Sequence, residues 1–230
     1  MHRRERADRD AFEDRTAAGK ALGDAVIKQG IEVSVVLGLT RGGVPVAFQV
    51  AAKLGVPMDI IVVKKLRAPI SEELAIGAVC ADGARVLREE TVQQLGVASG
   101  YVAHETQVRL REAQDAERRY RGEQAALDLS EILVAIVDDG MATGATMEAA
   151  VLSARRRGAK KVTVVVPVGS SQACDALRQV ADEVFCLNTP PDFWAVGQFY
   201  RYFPQVSDEE VRRLLEESRG ASQVRATASG

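Results

Sequence analysis

The sequence predicts an α/β fold, a mainly parallel sheet with helices on both faces. Three observations predict it. Short, almost uninterrupted apolar runs recur at residues 33–39 (VSVVLGL), 59–63 (DIIVV), 132–137 (ILVAIV), 161–168 (KVTVVVPV) and 183–187 (EVFCL). Such runs mark strands buried on both faces, not the alternation of a half-exposed sheet. Helix-periodic segments separate most of them, and strand–helix–strand alternation calls for parallel crossovers. Finally, 47% hydrophobic and 27% charged residues over 230 positions suffice for one well-buried core.

The elements follow in chain order. Residues 6–29 read as one helix with Phe12, Ala17, Ala21, Leu22, Ala25 and Val26 roughly on one face, and Gly30 as its C-cap. The strand at 33–39 ends in Thr40-Arg41-Gly42-Gly43, and a helix over 44–54 follows with Pro45 in its first turn, where a missing N–H costs little. Behind the strand at 59–63 come Lys64, Lys65 and Arg67, cations at a strand end that faces the ligand crevice in such sheets. Residues 75–80 and 84–87 read as a hairpin through Ala81-Asp82-Gly83, with Glu72 and Glu73 expected to face solvent. Residues 99–125 are helical and heavily charged, with a thin apolar stripe of Val102, Val108, Leu110 and Tyr120. That predicts a long helix on the surface or against a partner. A helix over 172–180 joins the last two strands. Residues 189–203 gather six of the chain's eleven aromatics, for core packing under a cap or for stacking on a planar base. From about Gly220 the chain turns small and polar, which predicts a frayed tail over 219–230.

The totals exclude several classes. A net charge of −2 gives no sign of general nucleic-acid binding, and no apolar run is long enough to span a bilayer. Cys80, Cys174 and Cys186 are scattered and lack metal-ligand spacing, so they read as reduced, packed thiols. No apolar signal segment follows the charged N-terminus, and a cytoplasmic location is expected.

The chemistry concentrates at residues 132–147: a buried strand, the paired carboxylates Asp138 and Asp139, a loop of small residues, then a helix. Free N–H groups where a loop enters a helix bind anions. Thr143 and Thr146 add hydroxyl donors, and Gly144 and Ala145 let the backbone come close. The carboxylates suit neutral hydroxyls or a cation, so a phosphate beside a diol describes a sugar phosphate. Gly42 and Gly43 beside Arg41, at another strand's carboxyl end, form a second nest for an anion.

VAIVDDGMATGAT, residues 134–146, resembles the phosphoribosyl-diphosphate (PRPP) motif of the type I phosphoribosyltransferases: four apolar residues, two acids, three variable residues, then Thr-Gly-x-Thr. Thr40-Arg41-Gly42-Gly43 resembles the family's pyrophosphate loop, where a cis peptide is expected near Thr40 and Arg41. The resemblance covers roughly residues 30–200. It implies the family fold in one domain over residues 1–218: a core at about 30–200, a hairpin-and-helix excursion at about 66–126, and a small hood at about 188–204. It also implies transfer of the phosphoribosyl group from PRPP to a nitrogenous base, with release of pyrophosphate. Asp138 and Asp139 would hold the ribose diol; Ala142, Thr143, Gly144, Ala145 and Thr146 would cradle the 5′-phosphate. Thr40, Arg41, Gly42 and Gly43, with Lys65 and Arg67, would face the diphosphate. Mg²⁺ would ride on PRPP, with Asp138 or Asp139 reaching it through water. Similarity to purine enzymes at 191–197 implies that Trp194 stacks on the base, that Ala195 presents backbone groups to it, and that Lys161 binds its carbonyl. A homodimer is a further family expectation.

Two departures stand out. Ala142 occupies the position where the hypoxanthine-guanine branch has its general-base aspartate, and Arg201 falls where that branch carries a magnesium-binding acid near Gly197. The loop is closer to the adenine branch, and the acceptor is left unassigned. The alternative function on the same fold is a PRPP- or nucleotide-sensing regulator with little transferase activity.

Overall fold

The computed structural model describes residues 11–228. In chain order it contains α1 (Arg15–Lys28), β1 (Val35–Leu39), α2 (Gly43–Leu54), β2 (Met58–Ile61), β3 (Val63–Ala68), β4 (Ser71–Cys80), β5 (Arg85–Leu87), α3 (Glu89–Gln94) and α4 (Ser99–Arg121). These are followed by β6 (Leu133–Val137), α5 (Ala145–Arg156), β7 (Lys161–Val168), α6 (Ser171–Leu177), β8 (Glu183–Asn188), a 3₁₀ turn (Val196–Phe199) and α7 (Asp208–Ala228).

Five strands form a wholly parallel sheet in the order β2-β1-β6-β7-β8. From β1 the chain crosses through α2 to β2 on one side. From β6 it crosses through α5 and α6 to β7 and β8 on the other. Gly38 pairs with Val137, so the carboxyl ends of β1 and β6 lie side by side where the winding reverses. A crevice opens at such a switch point.

Helices cover both faces, as the sequence predicts. Leu22 and Val26 of α1, Val46 and Val50 of α2, and Val211 and Leu215 of α7 pack on one face. Met147, Ala150 and Ala154 of α5 and Leu177 of α6 pack on the other. The hairpin forms its own three-stranded antiparallel sheet, β3-β4-β5. Its inner face lies on α5 through Ala78 and Cys80, and its outer face is closed by Val97 and Val102.

Two expectations are corrected. First, α1 starts at Arg15 because the Asp14 carboxylate accepts from the Ala17 N–H at 2.7 Å and caps the helix there. Phe12 instead bridges to Tyr200 in extended conformation, and residues 6–10 lie outside the described residues. Second, Lys64, Lys65 and Arg67 do not cluster at a strand end; the chain bends after β2 and these cations sit within β3. Helix α7, Asp208–Ala228, is an element the sequence analysis does not name. Its start is legible in hindsight: the Ser207 hydroxyl accepts from the Glu210 N–H at 3.1 Å, and Val211, Leu214, Leu215 and Ser218 recur at helical spacing on the buried face.

Helix α4 lies on the surface, as expected, and packs one face on its own chain. Its buried stripe consists largely of Ala113 and Ala116 with Tyr120, small residues that a search for bulky hydrophobics overlooks. Its last residue, Arg121, is buried and ion-paired with Asp59 of β2, which is fully buried; the second Asp59 oxygen accepts from the Leu127 N–H at 2.9 Å. The side chains of Glu72 and Glu73 lie outside the described residues.

Candidate active site

A cavity of about 310 Å³ opens at the switch point. Its floor is the loop after β6. Asp138, Asp139, Ala142, Thr143, Gly144 and Thr146 all line it, opposite Thr40 from the loop after β1 and Lys65 from β3. Gly144, at φ 76°, is the N-cap of α5. That left-handed conformation favours glycine, and it turns the chain so that the free N–H groups of the first turn of α5 face the opening. Thr143 is exposed and Thr146 half-buried, leaving both hydroxyls available to an anion there.

The two loops touch. The Thr40–Arg41 peptide is cis, and Gly42 passes so close to Asp139 that a Cβ at Gly42 would collide with the carboxylate. Gly42 and Gly43 thus form the backing of the acid pair and do not line the cavity. The Arg41 guanidinium points away, 3.4 Å from Asp208 at the start of α7. Asp208 also accepts from the Tyr120 hydroxyl at 2.8 Å, which fixes α4, α7 and the loop together.

The acid pair divides its roles. Asp139 is buried, and the Arg15 Nε donates to it at 2.8 Å. Arg15 also donates to the Pro204 carbonyl at 2.6 Å and lies 3.7 Å over the Phe203 ring. The Tyr200 hydroxyl donates to the Asp139 carbonyl at 2.5 Å. Asp138 stays partly exposed through the cavity, and its Oδ1 accepts from the Asp139 N–H at 2.9 Å. Burial, reinforced by the neighbouring Asp139 carboxylate, pushes the Asp138 carboxyl well above the usual range. Burial pushes Asp139 up too, against the pull of Arg15. Asp138 is therefore the carboxylate available to a ligand, while Asp139 is tied into the scaffold.

Several predicted site residues stand elsewhere. Val63 and Lys65 share the cavity face of β3 by simple alternation, but the ladder shifts register at Arg67, and a bulge re-aims the strand. The Arg67 N–H goes to Glu105 at 3.0 Å and its carbonyl accepts from the Tyr101 hydroxyl, so its backbone belongs to α4 and it does not line the cavity. Lys161 begins β7 and pairs with Glu183 at 2.7 Å. In a parallel sheet that is the amino edge, and eight residues of strand put it roughly 20 Å from the carboxyl edge, away from the cavity. Trp194 is 87% exposed on a loop braced by Gln198, whose side-chain oxygen accepts from the Trp194 and Ala195 N–H groups at 2.9 and 3.1 Å. From that loop Val196, and not Trp194 or Ala195, reaches the cavity wall.

Sequence reasoning missed Arg15, Val196 and Arg88. Arg15 carries no motif and is 124 residues from its partner. Arg88, just after β5, pairs with Glu148 of α5 at 2.9 Å and donates to the Thr143 carbonyl at 3.4 Å.

A family model for the phosphoribosyl transferase domain matches residues 10–204. Two curated Mycobacterium tuberculosis relatives, from strains H37Rv and CDC 1551, bear the name "Putative phosphoribosyl transferase". Each is 43% identical over 205 residues, covering 89% of this chain and 46% of its own length. The chain thus spans about half the length of these relatives. The crystal structure of TT1426 from Thermus thermophilus is 40% identical, with 90% of this chain and 98% of that one covered and a TM-score of 0.76.

Proposed function

The chain belongs to the phosphoribosyl transferase domain family, and we propose that it transfers the phosphoribosyl group of PRPP to a nitrogenous acceptor, releasing pyrophosphate. The observation that carries this reading is the meeting of the loops after β1 and β6 at Gly42 and Asp139, beside the first turn of α5. In this proposal the first-turn N–H groups of α5, with Thr143 and Thr146, hold the 5′-phosphate. Asp138 accepts from the ribose hydroxyls. Lys65 and the Thr40 loop face the leaving diphosphate. The C1–O bond to pyrophosphate breaks as the C1–N bond forms, and catalysis is positioning with charge neutralisation.

Mg²⁺ would be carried mainly by PRPP oxygens, with Asp138 in reach as a partly exposed carboxylate. Bound Mg²⁺ would neutralise charge on the diphosphate. The acceptor is a small nitrogen heterocycle that would meet Val196 on the cavity wall, with Trp194 exposed two residues before it on the same loop. A homodimer and a cytoplasmic setting belong to the proposal through family resemblance; among the described residues no helix is long and apolar enough to cross a membrane.

The test is pyrophosphate release from PRPP and Mg²⁺ against a panel of nucleobases and related heterocycles. Release that requires one acceptor establishes the transferase, and Asp138→Asn then loses most PRPP affinity. The sensor reading draws on Ala142: among the described residues the cavity wall holds no ionisable side chain other than Lys65, Asp138 and Asp139, so no further carboxylate stands ready to take a proton from the acceptor. Tight PRPP binding without release for any acceptor would favour the sensor.

A further inference from the structure

Glu148 lies in the first turn of α5, the same turn whose N–H groups cradle the phosphate. An acid there stabilises the free helix but opposes an incoming anion. The sequence places this charge against the function proposed for the site, and the fold answers it from a different element. Arg88 follows β5 directly, fixed by its own N–H to the Ile76 carbonyl at 2.9 Å. Its Nη1 lies 2.9 Å from Glu148 Oε2, and its Nη2 donates to the Thr143 carbonyl at 3.4 Å. One guanidinium thus spans from the acid to the main chain of the phosphate loop. Both side chains are about a third exposed or less, so solvent screens the pair only in part.

We propose that Arg88 is a positioning residue for phosphoribosyl binding: it cancels the Glu148 charge at the phosphate cradle and fastens the hairpin sheet to the loop through Thr143. This rests on the proposed PRPP reading. Arg88 need not touch the ligand. Without it, Glu148 stands uncompensated beside the site of a doubly charged phosphate. Glu148 and Arg88 do not line the cavity, and like charges at one helix turn across a half-screened surface weaken binding on the order of ten-fold. With Arg88 present that repulsion is offset, and the loop's carbonyl edge is held while its N–H edge faces the anion.

A double-mutant cycle read by calorimetry decides it, with PRPP and ribose 5-phosphate as probes and wild type, Arg88→Ala, Glu148→Gln and the double variant as samples. The expected result is a loss of about ten-fold in affinity for Arg88→Ala, steeper at low salt, as expected for a partly exposed charge. Glu148→Gln alone stays within about three-fold of wild type, and the double variant recovers most of the loss, the remainder being the missing tether to Thr143. Three results overturn the proposal. If Arg88→Ala binds as wild type does, the pair is incidental. If the double variant stays as weak as Arg88→Ala while Glu148→Gln binds tighter than wild type, Arg88 is a direct phosphate ligand. If both single variants lose affinity with no recovery on combination and with lowered melting temperatures, the pair is structural. If wild type binds neither probe, the PRPP reading itself falls, a result distinct from the other three.

Discussion

Replacing Arg15 with methionine removes the charge that holds Asp139 while keeping most of the side-chain volume. The Arg15–Asp139 pair is formed at 2.8 Å with side chains only 10% and 12% exposed. Breaking one partner of such a pair leaves an uncompensated buried charge and costs about 3–5 kcal/mol, a large share of the 5–15 kcal/mol that typically holds a domain folded. For a chain of this size that is a fall of roughly 6–20 °C in melting temperature. The loss depends on pH with a defined sign. Burial already pushes the Asp139 carboxyl up, and Arg15 is the strongest opposing influence; without it the folded-state pKa rises further above the unfolded value of about 3.9. A carboxyl with a raised folded pKa binds its proton more tightly when folded. The deficit is therefore full above the folded pKa and shrinks as pH falls towards the unfolded one. Urea unfolding followed by circular dichroism at pH 5 and pH 7.5 reads both effects. Adding Asp139→Asn to Arg15→Met should recover a large part of the loss. A deficit below about 1 kcal/mol at pH 7.5, or one that neither acid nor Asp139→Asn reduces, would refute the reasoning that this ion pair locks α1 and the segment at Phe203 and Pro204 onto Asp139.

The remaining predictions concern ligand and side-chain chemistry. PRPP binding with Mg²⁺ should strengthen as pH rises through the titration of Asp138, because the pushed-up carboxyl must ionise to accept two hydroxyls. Asp139→Asn, lacking the neighbouring charge, should move that midpoint to lower pH when both proteins are measured with the same ligand; an unmoved midpoint counts against the coupling. The Cys174 thiol is drawn down to about 7 by its contact with Cys186, while burial drives Cys80 upward. Thiolate absorbance at 240 nm should show one group titrating near 7, and Cys186→Ala should shift it upward; no shift would dissociate the two thiols. Lys161→Ala should leave acceptor KM and PRPP affinity unchanged, since Lys161 sits at the amino edge of the sheet. Trp194→Ala should raise acceptor KM several-fold with PRPP affinity intact, and equal effects on both would place Trp194 outside the acceptor side.

The sequence by itself determined the sheet, most of its helices and the loop after β6. Buried parallel strands must read as continuous apolar runs, and a loop that lays backbone N–H groups against a phosphate needs its small residues and threonines at fixed spacing. Both constraints are local, so residues 134–146 and the glycines after β1 are legible without coordinates. Long-range partners are not. Arg15 and Asp139, Arg88 and Glu148, and Asp59 and Arg121 meet only because the chain brings remote elements together, and each arginine looks like ordinary surface charge in sequence. The tertiary structure alone decided which edge of β7 Lys161 occupies, that a bulge takes Arg67 off the cavity wall, and that Arg41 turns to Asp208. It also split the acid pair: two adjacent aspartates with the same local sequence signal differ because one meets a buried guanidinium from 124 residues away and the other meets the cavity.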